Sequence, residues 1–248
     1  MRPEEYEIMF HAETAHWWYR TLHEMVEDGL RRHGALDGAV LDAGCGTGAM
    51  LQRLRALGPA VGMDFSADAL RFCRTRNLTR LARGSATALP FADASFDAVL
   101  FLDVLSDGGV TDPHEALREA RRVLRPGGVV LVNLPAYAWL HSPHDVAVST
   151  ARRYTRRQCR ELLRAAGFDV LEMTYWNTAL FPIVVVVRLL KRALKQKTSD
   201  LGLGSGRFIN QCLHAILRAE GRAARLCPMP FGLSVFAVGR RKAPLHSP

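Results

Sequence analysis

A glycine-rich turn that directly follows a short apolar run is the feature that most limits the possible folds of this chain. The run at 39–43 has the length of a strand, and Gly44, Gly46 and Gly48 follow it before a helical pattern begins at Ala49. Glycines let the backbone turn tightly and approach a ligand closely, and the first turn of the next helix offers unpaired N–H groups. A strand, a glycine turn and a helix in this order predict a nucleotide-type site in an α/β sheet.

The alternation of strand and helix patterns continues along the chain. Near-continuous apolar strands that alternate with helices predict a mostly parallel sheet with helices on both faces. After the run at 39–43, strands are predicted at 60–64, 80–84, 97–103, 129–134, 169–176 and 233–241, with helices at 49–57, 66–76, 113–124 and 155–166.

Three segments differ in their pattern. Residues 1–36 predict an N-terminal helical lid, and residues 37–176 together with 231–242 predict a cofactor-binding core. Residues 177–230 predict a helical insertion with helices at 183–195 and 208–226. This insertion is expected to cap the site or to form a dimer contact. Its apolar start and basic end are also compatible with peripheral contact to an anionic membrane.

Composition narrows the class of protein. The chain has 248 residues, of which 48% are hydrophobic and 23% charged, as is usual for a globular protein. Its net charge of +9 suits nucleic acid, an anionic membrane, an acidic substrate or simply a solvated surface. The five cysteines form no CxxC pair, which argues against a zinc site and against a disulfide framework. No metal site is predicted.

Two further features bear on location. The N-terminus lacks the apolar run of a signal peptide. The most apolar stretch, 179–190, is too short to span a bilayer and contains Pro182 and Arg188. We therefore expect a cytoplasmic protein.

An acid at the end of the second predicted strand strengthens the nucleotide interpretation. Asp64 can accept hydrogen bonds from both hydroxyls of a ribose. The glycines follow the spacing G-x-G-x-G instead of the G-x-G-x-x-G of dinucleotide-binding enzymes, which argues against a nicotinamide dehydrogenase.

Four segments in order resemble the class I S-adenosylmethionine-dependent methyltransferases of the small-molecule, ubiquinone type. This resemblance covers about residues 38–137. It implies a Rossmann-like, doubly wound, seven-stranded sheet whose last strand, at 233–241, is antiparallel. It also implies S-adenosyl-L-methionine as cofactor and S-adenosyl-L-homocysteine as product. The segments are VLDAGCGTG (40–48), VGMDFSADAL (61–70), LPFADASFDAVLFLDVL (89–105) and LRPGGVVLVNLPAY (124–137).

A narrower resemblance involves the flanks. The motif HWWY at 16–19, the loop at 134–145 and ARRYTR at 151–156 resemble a bacterial subgroup with an aromatic entrance helix and an RRYT element. That subgroup often has a histidine just before RRY, where this chain has Thr150.

The resemblance implies a role for particular cofactor-binding residues. Asp42 would lie near the amino group of the cofactor, Asp64 would bind the ribose and Phe65 would pack against the adenine. Ser85 stands where the family often has an acid that binds the adenine amino group. Phe101 and Asp103 would lie under the cofactor near the transfer site. The full set is Asp42, Ala43, Gly44, Cys45, Gly46, Gly48, Asp64, Phe65, Ser85, Ala86, Phe101 and Asp103.

The acceptor is expected to bind at the rim of the strand ends. His144 with Asp145 could be a base with its orienting acid, or His144 could simply face solvent, and Tyr137 is the third catalytic candidate. Residues 16–19 could form an aromatic lid or pack on the core. Arg153 could meet an acidic substrate group or form a structural salt bridge with an acid of the N-terminal helices. The predicted substrate-binding residues are His16, Trp17, Tyr19, Tyr137, His141, His144, Arg153 and Tyr154.

The sequence thus predicts methyl transfer to a nitrogen or oxygen of a small aromatic or heteroaromatic molecule in biosynthesis. Three alternatives stay open: an RNA acceptor, a lipid-like acceptor, and a cofactor-binding protein without catalysis. No nucleic-acid-binding module is visible, so RNA rests on the net charge alone. A homodimer is compatible with the insertion.

Overall fold

The computed structural model describes residues 3–193 and 206–242. Seven strands form one sheet in the order β3-β2-β1-β4-β5-β7-β6. Strand β7 is antiparallel to both of its neighbours, and the pairs among β1 to β5 are parallel. The predicted doubly wound sheet with an antiparallel last strand is therefore confirmed. The strands are β1 (Val40–Ala43), β2 (Ala60–Asp64), β3 (Leu81–Arg83), β4 (Phe96–Leu102), β5 (Leu124–Pro135), β6 (Phe168–Trp176) and β7 (Ser234–Arg241).

Helices flank the sheet and precede it. The predicted helices agree with the observed ones within a few residues, and a short 3₁₀ turn at Ala138–Leu140 follows β5. The helices are α1 (Pro3–Ala12), α2 (Trp17–Arg32), α3 (Ala49–Arg55), α4 (Ala67–Thr75), α5 (Pro113–Val123), α6 (Pro143–Ala147), α7 (Arg156–Ala165), α8 (Phe181–Ala193) and α9 (Arg207–Leu226).

Helix α5 shows why these segments fold as they do. Asp112 caps its N-terminus by accepting a hydrogen bond from the backbone N–H of His114, and Pro113 occupies the first turn, where its missing N–H is tolerated. Ala116, Leu117, Ala120 and Val123 recur at helical spacing and are all buried. That apolar stripe holds α5 against the sheet.

The hydrophobic core lies on both faces of the sheet. One cluster includes Phe101, Leu117 and Leu163, and the other includes Leu51 and Trp176. The structure differs from the prediction at β5, which begins at Leu124 instead of 129. The register with β4 shifts between Phe96 and Ala98, so the expected turn at 125–128 is an irregular start of the strand.

The order of the strands determines where a ligand can bind. Strand β1 lies between β2 and β4, so the chain reverses direction across the sheet at this point. In open α/β sheets, ligands bind beyond the carboxyl ends of the strands at such a switch point. The glycine turn after β1 and Asp64 at the end of β2 both lie at this edge.

The N-terminal helices contact the insertion. The Asn210 side chain on α9 accepts a 2.8 Å hydrogen bond from the backbone N–H of Trp17 and donates to the carbonyl of Ala15 at 2.6 Å. The division into a lid, a core and an insertion stays a prediction, and its parts at 1–2 and 194–205 lie outside the described residues. Within the described chain, no helix has the length and apolar character that crossing a membrane requires.

Candidate functional site

A cavity of about 600 Å³ lies at the carboxyl ends of β1, β2 and β4. Helices α1 and α2 cover one side of it, and α8 contributes Val184 and Arg188. Fourteen of the residues predicted to bind or react line this cavity. They are His16, Trp17, Tyr19, Asp42, Gly44, Cys45, Gly46, Asp64, Phe65, Ser85, Ala86, Asp103, Asp145 and Arg153.

The glycine turn has a backbone that other residues rarely adopt. Gly44, Gly46 and Gly48 have φ values of 90°, 54° and 92°, in the left-handed region that favours glycine. A Cβ on Gly44 would collide with the side chain of Val104. Gly48 does not line the cavity; a Cβ there would lie 2.8 Å from the Leu78 side chain and 2.9 Å from the Cys73 sulfur. The turn is therefore shaped by neighbouring side chains as well as by the cavity.

The Asp64 carboxylate can accept more hydrogen bonds than the two it accepts from the backbone. Its Oδ2 accepts from the backbone N–H of Gly46 at 3.0 Å, and its Oδ1 accepts from that of Ser66 at 2.8 Å. Each carboxylate oxygen can accept a further donor. Burial raises the pKa of Asp64, although the two backbone bonds oppose that change. This geometry fits two hydroxyl donors, as a ribose offers.

Asp42 is an unsatisfied acid at the end of β1. The side chain is almost fully buried, and its Oδ2 has no hydrogen-bond partner among the described residues. Burial, with smaller contributions from Asp64 and Glu13, raises its pKa to about 7. A buried acceptor without a partner is costly unless a ligand supplies a donor. The ammonium group of S-adenosylmethionine is a donor of the required kind, so this residue fits the cofactor.

The predicted adenine side of the cavity is more open. Phe65 is 73% exposed and lines the cavity. The Ser85 hydroxyl lies 2.8 Å from that of Thr87 and accepts from the Thr87 backbone N–H at 3.2 Å. Ser85 and Ala86 both line the cavity, while Ala43 does not appear on its wall. The adenine role of Ser85 stays a prediction.

The end of β4 provides a buried acid. Asp103 lines the cavity, and its Oδ1 accepts a 3.0 Å hydrogen bond from Asn133 Nδ2. Burial raises its pKa to about 7, against opposing contributions from Asn133 and Arg153. Phe101, by contrast, is fully buried in the core cluster and does not line the cavity.

Helix α1 supplies residues that no sequence motif indicated. Glu13 follows this helix, and its carboxylate accepts from the Thr47 hydroxyl in the glycine turn and from Arg76 Nη2 at 2.8 Å. Arg76 also donates to the carbonyls of Thr47 and Phe10, at 2.9 and 2.8 Å. Burial raises the pKa of Glu13. This buried ion pair joins the N-terminal segment to the glycine turn. Tyr6, Met9 and Glu13 line the cavity.

The aromatic motif at the start of α2 faces both the cavity and the core. His16 caps the helix, its Nδ1 accepting from the Trp18 backbone N–H at 3.3 Å. His16, Trp17 and Tyr19 line the cavity, and Trp18 also stacks on Trp176, with ring centroids 5.5 Å apart. Burial and the nearby acids Glu13 and Asp103 raise the pKa of Tyr19. Part of this motif therefore faces the cavity, as a lid would, and part of it packs on the core.

The acid of the predicted His144–Asp145 pair has other partners. Asp145 Oδ1 accepts from Arg153 Nε and Nη2 at 3.0 and 2.7 Å, and Oδ2 accepts from the backbone and hydroxyl of Ser142 at 2.7 and 3.0 Å. The His144 side chain lies outside the described residues. Arg153 forms a structural salt bridge, which is one of the two roles expected for it. Its partner is Asp145, however, and not an acid of the N-terminal helices.

Three other residues that were predicted to bind the methyl acceptor do not line the cavity. Tyr137 stacks on Tyr175, with ring centroids 5.2 Å apart. The Tyr154 hydroxyl donates to the carbonyl of Leu105 at 3.0 Å. His141 is exposed on the loop after β5. The positions of these three residues do not support the predicted roles in binding the methyl acceptor.

Asn177 and Arg188 line the cavity although the sequence did not indicate them. Arg188 Nη1 donates to the carbonyl of Leu140 at 2.6 Å. Its position as the one charged residue within 181–190 was the available signal. Among the side chains that the structure describes, no group of three or more His, Cys, Asp or Glu could hold a metal ion.

Comparison with known proteins identifies the family of this chain. The methyltransferase domain family matches residues 41–132, which contain the glycine turn, Asp64 and Asp103. The malonyl-[acyl-carrier protein] O-methyltransferase of Erwinia pyrifoliae is 46% identical over 206 residues, covering 78% of this chain and 76% of the relative.

A second relative and a solved structure agree. A probable S-adenosylmethionine-dependent methyltransferase of Mycolicibacterium smegmatis is 32% identical over 163 residues, 64% of this chain and 62% of that protein. This chain spans 50% and 47% of the length of two further curated relatives. A Thermotoga maritima structure described as a possible histamine N-methyltransferase shares the fold, with a TM-score of 0.61, 20% identity and 96% coverage of both chains.

The narrower subgroup with the HWW and RRYT motifs stays a prediction. The broader assignment is supported at three levels: the sheet topology, the acids at the ends of β1 and β2, and the identity to the Erwinia pyrifoliae enzyme over most of both chains. The chain belongs to the class I S-adenosylmethionine-dependent methyltransferases.

Proposed function

We propose that this protein transfers a methyl group from S-adenosylmethionine to a nitrogen or oxygen atom of a small molecule. One observation carries the proposal: a single cavity is lined by the acids Asp42 and Asp64 and also by Asp103 and Arg153. A cofactor and an acceptor can therefore meet in one site covered by α1 and α2. Its volume of about 600 Å³ is typical of small-molecule sites.

The residues present fit the cofactor. Asp42 would pair with its ammonium group, Asp64 would accept from its ribose hydroxyls, and Phe65 would pack on the adenine. The bound cofactor supplies a methyl group that is already activated by a sulfonium. The task of the chain is then to align the acceptor and to exclude water. The aromatic side chains of Trp17 and Tyr19 support an aromatic acceptor, because a flat ring can pack against them.

The names of two similar proteins guide the choice of acceptor atoms. The Erwinia pyrifoliae relative is named as an O-methyltransferase and the Thermotoga maritima structure as a possible N-methyltransferase. Both kinds of nucleophile therefore belong in a first test of this protein.

A lipid-like acceptor is a second candidate because of the outer face of α8. Val184 and Arg188 on this helix line the cavity, whereas Ile183, Val186 and Leu190 are 57%, 56% and 57% exposed. A helix that covers a site and exposes apolar side chains can lie against a lipid surface. Sedimentation with phosphatidylglycerol vesicles, compared with phosphatidylcholine vesicles, tests this candidate. An Ile183→Ser/Val186→Ser double variant should lose any binding.

The main experiment has two steps. Isothermal calorimetry first measures S-adenosylmethionine binding, which we expect in the micromolar range or tighter. Formation of S-adenosylhomocysteine is then measured by mass spectrometry with catechol, histamine, benzylamine and octanoic acid as acceptors. Absence of binding at high micromolar concentration would overturn the cofactor assignment. Binding without product from any acceptor, including added tRNA, would favour a protein that binds the cofactor without catalysis.

A further inference from the structure

Asp103 is held in an uncommon backbone conformation at the end of β4. Its φ is 61°, in the left-handed region that a residue with a Cβ rarely adopts. Its backbone N–H donates to the carbonyl of Asn133 at 2.9 Å, and its carbonyl accepts from the Ser106 hydroxyl at 2.6 Å. Such strain persists only where the surrounding structure maintains it, and it is enriched at functional sites.

The orientation of the Asn133 amide is determined by Trp176. Trp176 Nε1 donates to Asn133 Oδ1 at 2.8 Å, and Asn133 Nδ2 donates to Asp103 Oδ1 at 3.0 Å. An indole nitrogen can only donate, so the amide oxygen must face Trp176 and the amide nitrogen must face Asp103. Oδ1 of Asp103 is therefore the oxygen that accepts from Asn133, and Oδ2 is left for other partners.

The aromatic motif of α2 supports this arrangement. Trp176 is almost completely buried, and Trp18 packs against it at an interplanar angle of 30°. The helix that covers the cavity therefore also packs on the indole that orients Asn133.

A second buried acceptor faces the same cavity. Asn177 lines the cavity and has a φ of 61°. Its Oδ1 is buried and has no hydrogen-bond partner within residues 3–193 and 206–242. Asp103 and Asn177 together suit a molecule that brings N–H or O–H donors into the cavity.

From this geometry we propose that Asp103 is the general base of the reaction, with Asn133 and Trp176 as its positioning residues. This inference rests on the proposed function and deepens it: the acceptor carries a hydroxyl or amine proton that must be removed. As the acceptor atom forms its bond to the methyl carbon, the carbon–sulfur bond breaks and its electron pair stays on sulfur. The proton of the acceptor passes to Asp103 Oδ2 and later to solvent.

The electrostatic environment of Asp103 suits this role. Burial raises its pKa to about 7, and a base is most effective when its pKa lies near the working pH. A carboxylic acid is already ionised at neutral pH and needs no base. The two kinds of acceptor therefore separate the role of Asp103 from a general role in binding.

The first test compares Asp103→Asn with the wild-type protein. The asparagine keeps an oxygen that can accept from Asn133 but cannot take up the proton. We expect kcat with catechol or histamine to fall by about a hundredfold or more, with octanoic acid methylation, where present, little changed. The matched control is Asp112→Asn, which can still cap α5 and lies outside the cavity. Equal activity of Asp103→Asn and wild type with catechol or histamine would overturn the proposal.

The second test concerns positioning. Trp176→Phe keeps a ring for Trp18 to pack on but removes the N–H that orients Asn133. The hydrogen bond from Asn133 favours the ionised form of Asp103, so its weakening should raise the pKa of Asp103. The acidic limb of kcat/KM against pH should then move to higher pH. A purely structural role would lower stability without moving that limb. The control is Trp139→Phe, the same change on a half-exposed loop residue.

A third measurement needs no acceptor. Carboxyl ¹³C NMR of aspartate-labelled protein, titrated from pH 5 to pH 9, should contain a resonance that titrates near pH 7 and is absent in Asp103→Asn. In Trp176→Phe it should titrate at higher pH. Titration of Asp103 at the ordinary aspartate value of about 4 would overturn the inference even if S-adenosylmethionine binds normally. Failure of cofactor binding would instead remove the proposed function, while this titration would still report on Asp103.

Discussion

Arg153 and Asp145 form an ion pair that is almost completely buried, with side-chain exposures of 6% and 3%. Two guanidinium nitrogens bind one carboxylate oxygen, and Arg153 Nη1 also donates to the carbonyl of Ala136 at 2.8 Å. Arg153 therefore joins the loop after β5 to the segment that precedes α7. Because both residues line the cavity, this pair also shapes part of the cavity wall.

Arg153→Ala should destabilise the protein strongly. Removing one partner of a buried pair leaves the other charge without compensation, which typically costs about 3–5 kcal/mol. The free energy of unfolding from urea titration measures this change. Arg157→Ala is the control, because its pair with Glu161 is exposed to solvent and exposed pairs contribute little to stability. Similar small losses in the two variants would contradict the structural role assigned to Arg153.

Asp64→Ala should weaken S-adenosylmethionine binding by more than tenfold. The change removes charge-assisted hydrogen bonds to the ribose, each worth roughly 1.5–3 kcal/mol. Calorimetry on the folded variant measures the dissociation constant, with circular dichroism as the check on folding. The control is Asp68→Ala on the exposed face of α4, where the acid pairs only with Arg71 among the described residues. An unchanged constant for Asp64→Ala would refute the ribose assignment.

Cofactor binding should depend on the ionisation of Asp42. Burial raises the pKa of Asp42 to about 7 in the free protein, whereas the ammonium group of the cofactor would bind the ionised carboxylate. Affinity should therefore increase as the pH rises from 6 to 7, and binding should release protons. Calorimetry in buffers of different ionisation enthalpy counts those protons.

Asp42→Asn is the variant that identifies this group. It should bind more weakly and should lose the proton release that Asp42 causes. Undiminished proton release in Asp42→Asn would assign the linkage to another group, and Asp103, whose pKa is also raised to about 7, would be the next to examine.

Glu13→Ala should loosen the N-terminal segment without unfolding the sheet. Arg76 would lose its buried carboxylate partner, while the core clusters on the sheet do not include Glu13. Hydrogen exchange followed by mass spectrometry should show faster exchange in residues 3–12, by roughly tenfold or more for a local loss of about 1.4 kcal/mol or more. Exchange in α5 should be unchanged, and Glu161→Ala is the exposed control. Equal exchange of residues 3–12 in both variants would mean that the pair does not hold α1.

The strands and helices could be predicted because each is a local pattern. Strand β4 contains a continuous apolar run at 98–102, and α5 has a capping Asp112, a first-turn Pro113 and an apolar stripe. These signals need no knowledge of distant residues. The predicted start of β5 at residue 129 was wrong because Pro126 and the two glycines after it resemble a turn. In the structure, pairing with β4 extends the strand back to Leu124.

The glycine turn after β1 and the acid at the end of β2 were determined by the sequence alone. Strand β1 and the turn are contiguous, and parallel strands bring their carboxyl ends to one edge whatever the rest of the chain does. The placement of Gly44 and Asp64 on one cavity wall agrees with that rule, whereas the seven strands and the antiparallel last one were expected from the family resemblance.

Only the tertiary structure decided the partners of the buried polar groups. Glu13 meets Thr47 and Arg76 across the chain, and Asp103 meets Asn133 from the neighbouring strand. No local pattern encodes such pairs, because a buried polar group takes whichever donor or acceptor the packed elements bring within reach. The glycine turn and Asp64 could therefore be predicted from the sequence, whereas the hydrogen-bond partners of Glu13 and Asp103 depend on how the elements pack.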